Sequence, residues 1–145
     1  MTVNRASARY EGFGKEGKGS ITTKSGVLDQ QPYGFGTRFE GKPGTNPEEL
    51  IAAAHAACFT MALSFALARA GHAGGTLETS AAVTLDQIEG GFEISKSALT
   101  LTAKVPGIDA GEFAAIAAEA EKSCPVSKLL DCEITLEHSL DNQAE

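Results

Sequence analysis

Three cysteines, Cys58, Cys124 and Cys132, are the residues of this 145-residue chain with the clearest capacity for chemistry. A cysteine is a nucleophile only as its thiolate, so each position is judged by what lowers the thiol pKa. Cys124 precedes Pro125, which suits the first position of a helix and would place the sulfur near unpaired N–H groups that favour negative charge. A small apolar residue at a helix junction explains Cys124 equally well.

Cys58 lies in the middle of an uncharged segment, where burial would raise the thiol pKa and favour an inert packing role. His55 lies three residues earlier on the same face of a helix, which leaves a chemical role for the pair open. A single histidine on an apolar face is more often a hydrogen-bonded core residue. Cys132 follows Asp131, whose charge would raise the thiol pKa, so we expect no role for Cys132.

Arg38, Glu48 and Glu49 also have ordinary explanations. We expect Thr37–Glu40 to be a short extended segment that points Arg38 into solvent. Glu48 and Glu49 both favour the positive end of a helix. None of these residues alone indicates an enzyme.

One long helix is predicted to carry Cys58. Asn46-Pro47-Glu48-Glu49 is typical of a helix start, and residues 50–68 contain no Asp, Glu, Lys or Arg. A helix that is apolar on all sides is either membrane-spanning or wholly buried. Its Ala, Ser and Thr content, its acidic start and His55 disfavour a membrane span. We therefore expect a buried central helix that ends at Gly71.

The remaining elements follow from capping and alternation signals. Asp109 predicts a second helix that reaches Ser123, and Cys124-Pro125 predicts a short turn through Leu130. Gln30–Gly36 is expected to be irregular because it contains one Pro and two Gly. Strands are predicted at Arg5–Tyr10, Ser20–Lys24, Thr76–Leu85, Phe92–Val105 and Glu133–Leu140, the first two and the next two as hairpins. This order predicts one α+β domain over residues 1–145.

Composition excludes several classes of function. Twelve Lys and Arg against 19 Asp and Glu give a net charge of −7, which disfavours binding to nucleic acids or anionic lipid. Three cysteines are an odd number and too few for a disulfide-dense secreted scaffold. Residues 1–16 are polar and contain no apolar signal segment, so we expect a cytoplasmic protein with reduced thiols.

Several motifs together resemble one known family. Gly-Thr-Asn-Pro-Glu-Glu-Leu-Ile (44–51), Ala-His-Ala-Ala-Cys-Phe (54–59) and Cys-Pro-Val-Ser (124–127) are similar to the OsmC/Ohr family of osmotically inducible and organic hydroperoxide resistance proteins. Gln-Gln-Pro-Tyr-Gly-Phe (30–35) and Thr-Arg-Phe-Glu (37–40) favour the OsmC branch. The resemblance covers essentially the whole chain.

The resemblance implies a thiol-dependent peroxidase that reduces organic hydroperoxides and, to some extent, hydrogen peroxide. Cys58 matches the cysteine that the peroxide oxidises, and Cys124 matches the cysteine that then forms a disulfide with it. Arg38 matches the active-site arginine, and Glu48 matches the acid that holds it. We expect no cofactor and no metal. A dithiol is the implied reductant, and it is a lipoylated protein in the organic hydroperoxide branch.

The fold that the resemblance implies is an intertwined α+β homodimer. Antiparallel sheets wrap around a long central buried helix, and the active sites lie at the subunit interface. Glu48 and Cys58 would lie about 15 Å apart along a straight helix. Either Arg38 spans part of this gap, or the helix is broken near Ala52–Ala54.

Three alternatives remain open at this point. The first is a non-catalytic protein that binds a lipid or small ligand and has incidental thiols. The second is a metal site built from His55 and Cys58 with Cys124 or His138, although the chain has no CxxC motif. The third, a Cys–His hydrolase, lacks a nucleophile-elbow motif.

Overall fold

The computed structural model describes residues 1–143, in which six strands and four helices follow one another. The strands are β1 (Ala6–Glu11), β2 (Lys18–Thr23), β3 (Gln31–Tyr33), β4 (Thr76–Ile88), β5 (Gly91–Lys104) and β6 (Glu133–Asp141). The helices are α1 (Phe35–Phe39), α2 (Pro47–Arg69), α3 (Ala110–Ser123) and α4 (Pro125–Leu129), and a short 3₁₀ turn covers Gly14–Glu16. The α+β class that the sequence predicts is confirmed.

The chain divides into two compact units, Met1–Leu50 and Ile51–Glu145. Helix α2 begins in the first unit and continues through the second. That the whole chain acts as one domain stays a prediction.

The first unit contains a three-stranded antiparallel sheet in the order β1-β2-β3. The hairpin of β1 and β2 is confirmed, with Ala8 opposite Ile21. Strand β3 lies in the segment for which irregular structure was expected, so that part of the prediction is wrong. Pro32 is tolerated there because β3 is the edge strand of this sheet, where a missing N–H does not break a ladder on both sides.

Helix α1 replaces the extended segment predicted at Thr37–Glu40, and this prediction is wrong too. The Thr37 hydroxyl accepts the Gly34 N–H at 2.9 Å and donates to the Gly34 carbonyl at 3.1 Å, which closes the first turn. Phe35 and Phe39 then pack one turn apart, with ring centroids 5.1 Å from each other. Residues four apart share a face in both a strand and a helix, so the alternation of apolar residues did not separate the two.

Helix α2 begins where the sequence predicts. The Asn46 side chain accepts the N–H of Glu49 at 2.8 Å, and Pro47 is the first helical residue. The helix runs without a break to Arg69, so the alternative of a break near Ala52–Ala54 is wrong. Asp109 caps α3 by accepting the Glu112 N–H, as predicted.

The core of the second unit forms where one face of α2 packs against the second sheet and α3. Members of this core share nearly complete burial; they include Phe59, Leu63 and Leu67 of α2, Leu99 and Leu101 of β5, and Phe113 and Ala117 of α3. On β5 the alternation of side chains places Leu99, Leu101 and Ala103 on this buried face.

The second sheet has the order β4-β5-β6. Strands β4 and β5 form the predicted antiparallel hairpin, but β6 runs parallel to β5, with Leu99 opposite Leu136. The expectation of purely antiparallel sheets is therefore wrong at this pair. The chain leaves the end of β5, passes through α3 and α4, and returns to the start of β5, and a connection of that kind produces a parallel pair.

Only one face of α2 is buried within the single chain. His55, Phe59, Leu63 and Leu67 form the buried stripe, whereas Met61 is 62% exposed and Phe65 is 59% exposed. The expectation of burial on all sides is thus not met within one copy. By length and composition alone, α2 is long and apolar enough to span a membrane. Its packed stripe identifies it as a core helix.

Candidate active site

Cys58 and Cys124 lie in contact within the second unit. Cys58 is on α2, and Cys124 is the residue that both ends α3 and caps α4. A hydrogen bond joins the two thiol side chains, and the backbone N–H of Val126 also donates to the Cys58 sulfur. All three cysteines of the chain are free thiols. Two thiols in contact can be converted to a disulfide by a two-electron oxidant.

The position of Cys124 follows from its neighbours. Pro125 is the first residue of α4, as predicted from the sequence, and its fixed backbone geometry starts a new helix directly after Cys124. The N–H of Cys124 donates to the Ala120 carbonyl, so the residue still belongs to the last turn of α3. Cys124 is fully buried, whereas Cys58 is half-buried. Of the two thiols, Cys58 is therefore the one that is open to solvent.

The surroundings of Cys58 disfavour its thiolate within the single chain. Burial raises the pKa of the Cys58 thiol above its ordinary value, the N–H of Val126 lowers it, and the contact with Cys124 raises it further. Within residues 1–143, none of the groups that shift this pKa is a cation. A nucleophilic Cys58 needs a positive charge that its immediate neighbours do not supply.

Arg38 and Glu48 form a two-bonded ion pair in the first unit. Arg38 Nε donates to Glu48 Oε1 at 2.8 Å, and Arg38 Nη2 donates to Glu48 Oε2 at 2.9 Å. The Glu48 side chain is 12% exposed and that of Arg38 is 34% exposed. The hydrogen bond to Glu48 raises the pKa of Arg38, so the guanidinium stays charged. Arg38 is thus held in place rather than free in solvent.

Glu48 and Glu49 make different hydrogen bonds at the start of α2. Glu49 accepts a hydrogen bond from the Thr45 hydroxyl at 2.8 Å, and its N–H is bound by Asn46. Glu48 alone of the two binds Arg38. Helix signals alone could not separate these neighbours, because both suit the first turn of a helix, whereas the family resemblance favoured Glu48.

A cavity of about 200 Å³ lies beside Arg38 in the first unit. Its lining is mainly aromatic and apolar and consists of Tyr10, Gly14, Tyr33, Gly34, Phe35, Arg38 and Pro47. Tyr10 and Tyr33 pack edge to face with ring centroids 6.0 Å apart. The guanidinium of Arg38 therefore borders a space that suits an apolar group.

His55 is fully buried, and both of its ring nitrogens are hydrogen-bonded. Nδ1 bonds to Ser97 Oγ on β5 at 2.6 Å, and Nε2 bonds to Ser127 Oγ on α4 at 2.8 Å. The prediction of a hydrogen-bonded core histidine is confirmed. Burial lowers the pKa of His55, so the neutral imidazole is favoured. Nothing in the sequence pointed to Ser97, while Ser127 lies in the same Cys-Pro-Val-Ser motif as Cys124.

Cys132 takes no part in the contact between Cys58 and Cys124. Burial and the charge of Asp131 raise the pKa of its thiol, which agrees with the sequence-based expectation. In the part of the chain that the structure describes, no three His, Cys, Asp or Glu side chains converge on a possible metal ion. With both its nitrogens occupied, His55 gives no support to the metal-site alternative.

The four residues predicted for the site therefore form two pairs. Arg38 with Glu48 belongs to the first unit, and Cys58 with Cys124 belongs to the second. Glu48 and Cys58 lie on the same unbroken helix, about 15 Å apart along its axis.

A family model described as OsmC-like protein matches residues 39–139 of the chain. Peroxiredoxin OsmC of Escherichia coli (strain K12) is 55% identical over 141 residues, which cover 97% of this chain and 99% of that protein. The organic hydroperoxide resistance protein OhrB of Bacillus subtilis (strain 168) is 33% identical over 111 residues, covering 76% of this chain and 79% of the other. The crystal structure of Bacillus subtilis OhrB superposes with a TM-score of 0.72 at 30% identity, covering 95% of this chain and 98% of that one.

Proposed function

Because this chain belongs to the OsmC-like family, we propose that it is a thiol-dependent peroxidase that reduces organic hydroperoxides to alcohols. The observation that carries this proposal is the contact between Cys58 and Cys124, which supplies the two thiols that such a reaction consumes. Relatives named for peroxidase activity and for organic hydroperoxide resistance support the substrate class.

The first step oxidises Cys58. Its thiolate attacks the terminal oxygen of the hydroperoxide, the O–O bond breaks, and the alkoxide leaves and takes up a proton as the alcohol. Cys58 gains the oxygen and becomes a sulfenic acid. Cys58 is assigned this step because it is half-buried, while Cys124 is fully buried behind it.

The second step uses Cys124. Its thiol attacks the sulfur of the Cys58 sulfenic acid, the S–O bond breaks, and hydroxide leaves with the thiol proton as water. The product is a Cys58–Cys124 disulfide, which protects Cys58 from further oxidation. A dithiol then returns both thiols by exchange and becomes a disulfide itself; we propose a lipoylated protein in the cytoplasm for this role.

Arg38 is the cation that the first step requires. A guanidinium beside the Cys58 thiolate would offset the desolvation that raises its pKa, and would hold the peroxide oxygens by charge-assisted hydrogen bonds. Glu48 would keep the guanidinium in one orientation through its two hydrogen bonds. The cavity beside Arg38 would take the organic part of the hydroperoxide.

We propose that the two pairs meet between subunits. Since Arg38 is held by Glu48, about 15 Å along the helix from Cys58, we propose that each site combines the thiols of one copy with Arg38 and Glu48 of the partner subunit. The exposed apolar face of α2, which includes Met61 and Phe65, is the surface on which a second copy would pack. The proposed active form is therefore a homodimer with sites at its interface.

Turnover with cumene hydroperoxide tests this function. A substoichiometric amount of reduced protein should consume many equivalents of peroxide when dithiothreitol is present. Cys58→Ser should abolish consumption, while Cys132→Ser, the matched control, should retain it because Cys132 lies outside the thiol pair. Full activity in Cys58→Ser would refute the assignment. A copurified ligand in native mass spectrometry, without turnover, would instead support the non-catalytic binding protein.

A further inference from the structure

His55 connects three elements that are far apart in the sequence. It lies one turn before Cys58 on α2, and its two ring nitrogens reach Ser97 on β5 and Ser127 on α4. All three side chains are buried, so water does not compete for these hydrogen bonds. No step of the peroxide reaction described above uses them.

Helix α4 depends on its neighbours for its position. Its five residues are far too short to be stable as an isolated helix, and its capping residue Cys124 makes no side-chain cap hydrogen bond. Val126 packs against the core, but Leu129 is 78% exposed. The bond from Ser127 to His55 joins this turn to α2 in addition to the interactions of Val126 and Cys124 with Cys58.

This turn and the residue before it carry two groups that interact with the Cys58 sulfur. Cys124 precedes the turn directly, and Val126, which precedes Ser127, donates its backbone N–H to Cys58. We propose that His55 is a positioning residue for the disulfide step: through Ser127 it holds α4, and with it Cys124, against the part of α2 that carries Cys58.

The proposed role of His55 affects the competition between two reactions of the Cys58 sulfenic acid. The Cys58 sulfenic acid either loses water to form the disulfide with Cys124, or reacts with a second peroxide to give a sulfinic acid and an alcohol. Only the first reaction depends on where Cys124 lies. An α4 turn that is released from His55 slows the first reaction and leaves the second unchanged, so more sulfinic acid accumulates. This inference rests on the proposed peroxidase function.

The test compares Ser127→Ala with Ser97→Ala. Each variant removes one partner of His55 and leaves one buried ring nitrogen unpaired, so the two are matched in their effect on the imidazole. Only Ser127→Ala removes a bond that holds α4. The protein is mixed with excess cumene hydroperoxide, quenched with dimedone and an alkylating agent, and analysed by intact mass, which distinguishes sulfenic acid, disulfide and sulfinic acid.

Ser127→Ala should form the disulfide about fivefold to tenfold more slowly than the wild type and accumulate sulfinic acid. Ser97→Ala should stay within about twofold of the wild-type rate. Equal slowing in both variants, or none in either, would overturn the positioning role. If Ser127→Ala does not unfold cooperatively, Ser127→Thr and Ser127→Val replace it, since they differ only in the hydroxyl; Thr should retain the wild-type partition and Val should lose it.

Oxidation by glutathione disulfide separates this inference from the peroxidase function. The reagent forms a mixed disulfide on Cys58, and Cys124 displaces glutathione to close the same disulfide without any peroxide. Slower closure in Ser127→Ala than in Ser97→Ala supports the role of His55 even if peroxide turnover is absent. Equal closure rates refute it even if turnover is normal.

Discussion

Arg38 and Glu48 meet through two parallel hydrogen bonds of 2.8 and 2.9 Å, although ten positions separate them in the chain. Capping by Thr37 folds the chain before Arg38 into α1, and Asn46-Pro47 starts α2, so the two side chains face each other across the connecting turn. A two-bonded arginine–carboxylate pair fixes the plane of the guanidinium as well as its position.

Glu48→Gln should reduce the rate of peroxide reaction about tenfold, because a neutral amide retains at most one of the two hydrogen bonds and no ion pair. Glu49→Gln is the matched control, since Glu49 binds Thr45 and not Arg38. Its rate should stay close to that of the wild type. Stopped-flow measurement of peroxide consumption with both variants tests this prediction. Equal losses of rate in Glu48→Gln and Glu49→Gln would show that the rate depends on the helix start in general and not on the ion pair with Arg38.

Replacement of Arg38 should raise the pKa of Cys58 further. Burial already raises this pKa, so loss of the proposed guanidinium leaves the thiolate uncompensated. Arg38→Ala should slow the peroxide reaction by about tenfold to hundredfold at pH 7, with partial recovery at higher pH as the thiol ionises. Alkylation of Cys58 by iodoacetamide as a function of pH measures the shift; an unchanged profile would contradict a contact between Arg38 and Cys58.

Acid should destabilise the protein through His55. Burial lowers the pKa of His55 in the folded state, whereas the unfolded chain takes up a proton as the pH falls through about 6.5. The free energy of unfolding contributed by this group is therefore complete above pH 6.5 and is lost as the pH falls toward the folded pKa. Urea unfolding at pH 7 and pH 5 should show a smaller loss for His55→Gln than for the wild type. His138→Gln, at an exposed histidine, should behave like the wild type.

Met61→Lys should separate the proposed homodimer. A lysine at this exposed apolar position places a charge in the interface that α2 is proposed to form, and the lost association should also remove peroxidase activity. Ile88→Lys, at the exposed tip of the β4–β5 hairpin, is the control. Size-exclusion chromatography with light scattering gives the mass; a wild-type protein that is monomeric and active would contradict a site shared between copies.

Local signals in the sequence were sufficient for most element boundaries. Asn46-Pro47 located the start of α2, Asp109 that of α3, and Cys124-Pro125 that of α4. The alternation over Phe92–Val105 predicted strand β5. Caps and alternation act between residues that are close in the chain, so they can be read without the fold.

The direction of strand pairing, the conformation of one short segment and the buried face of α2 could not be predicted from such local signals. The parallel pairing of β6 depends on the path of the chain through α3 and α4, and the spacing of Phe35 and Phe39 fits a strand as well as a helix. The buried stripe of α2 is invisible in a segment that is apolar on every side, because no polar face marks its boundary.

The three thiols of this chain illustrate what the sequence determined and what only the tertiary structure decided. The sequence alone determined that they are too few for a disulfide scaffold, and the family resemblance of its motifs predicted Cys58 and Cys124 as the redox pair. Only the tertiary structure decided that these two touch, that Glu48 rather than Glu49 binds Arg38, and that His55 bonds Ser97 and Ser127, which lie 42 and 72 positions away. Such contacts depend on how distant elements pack, and packing brings together residues whose separation along the chain carries no signal.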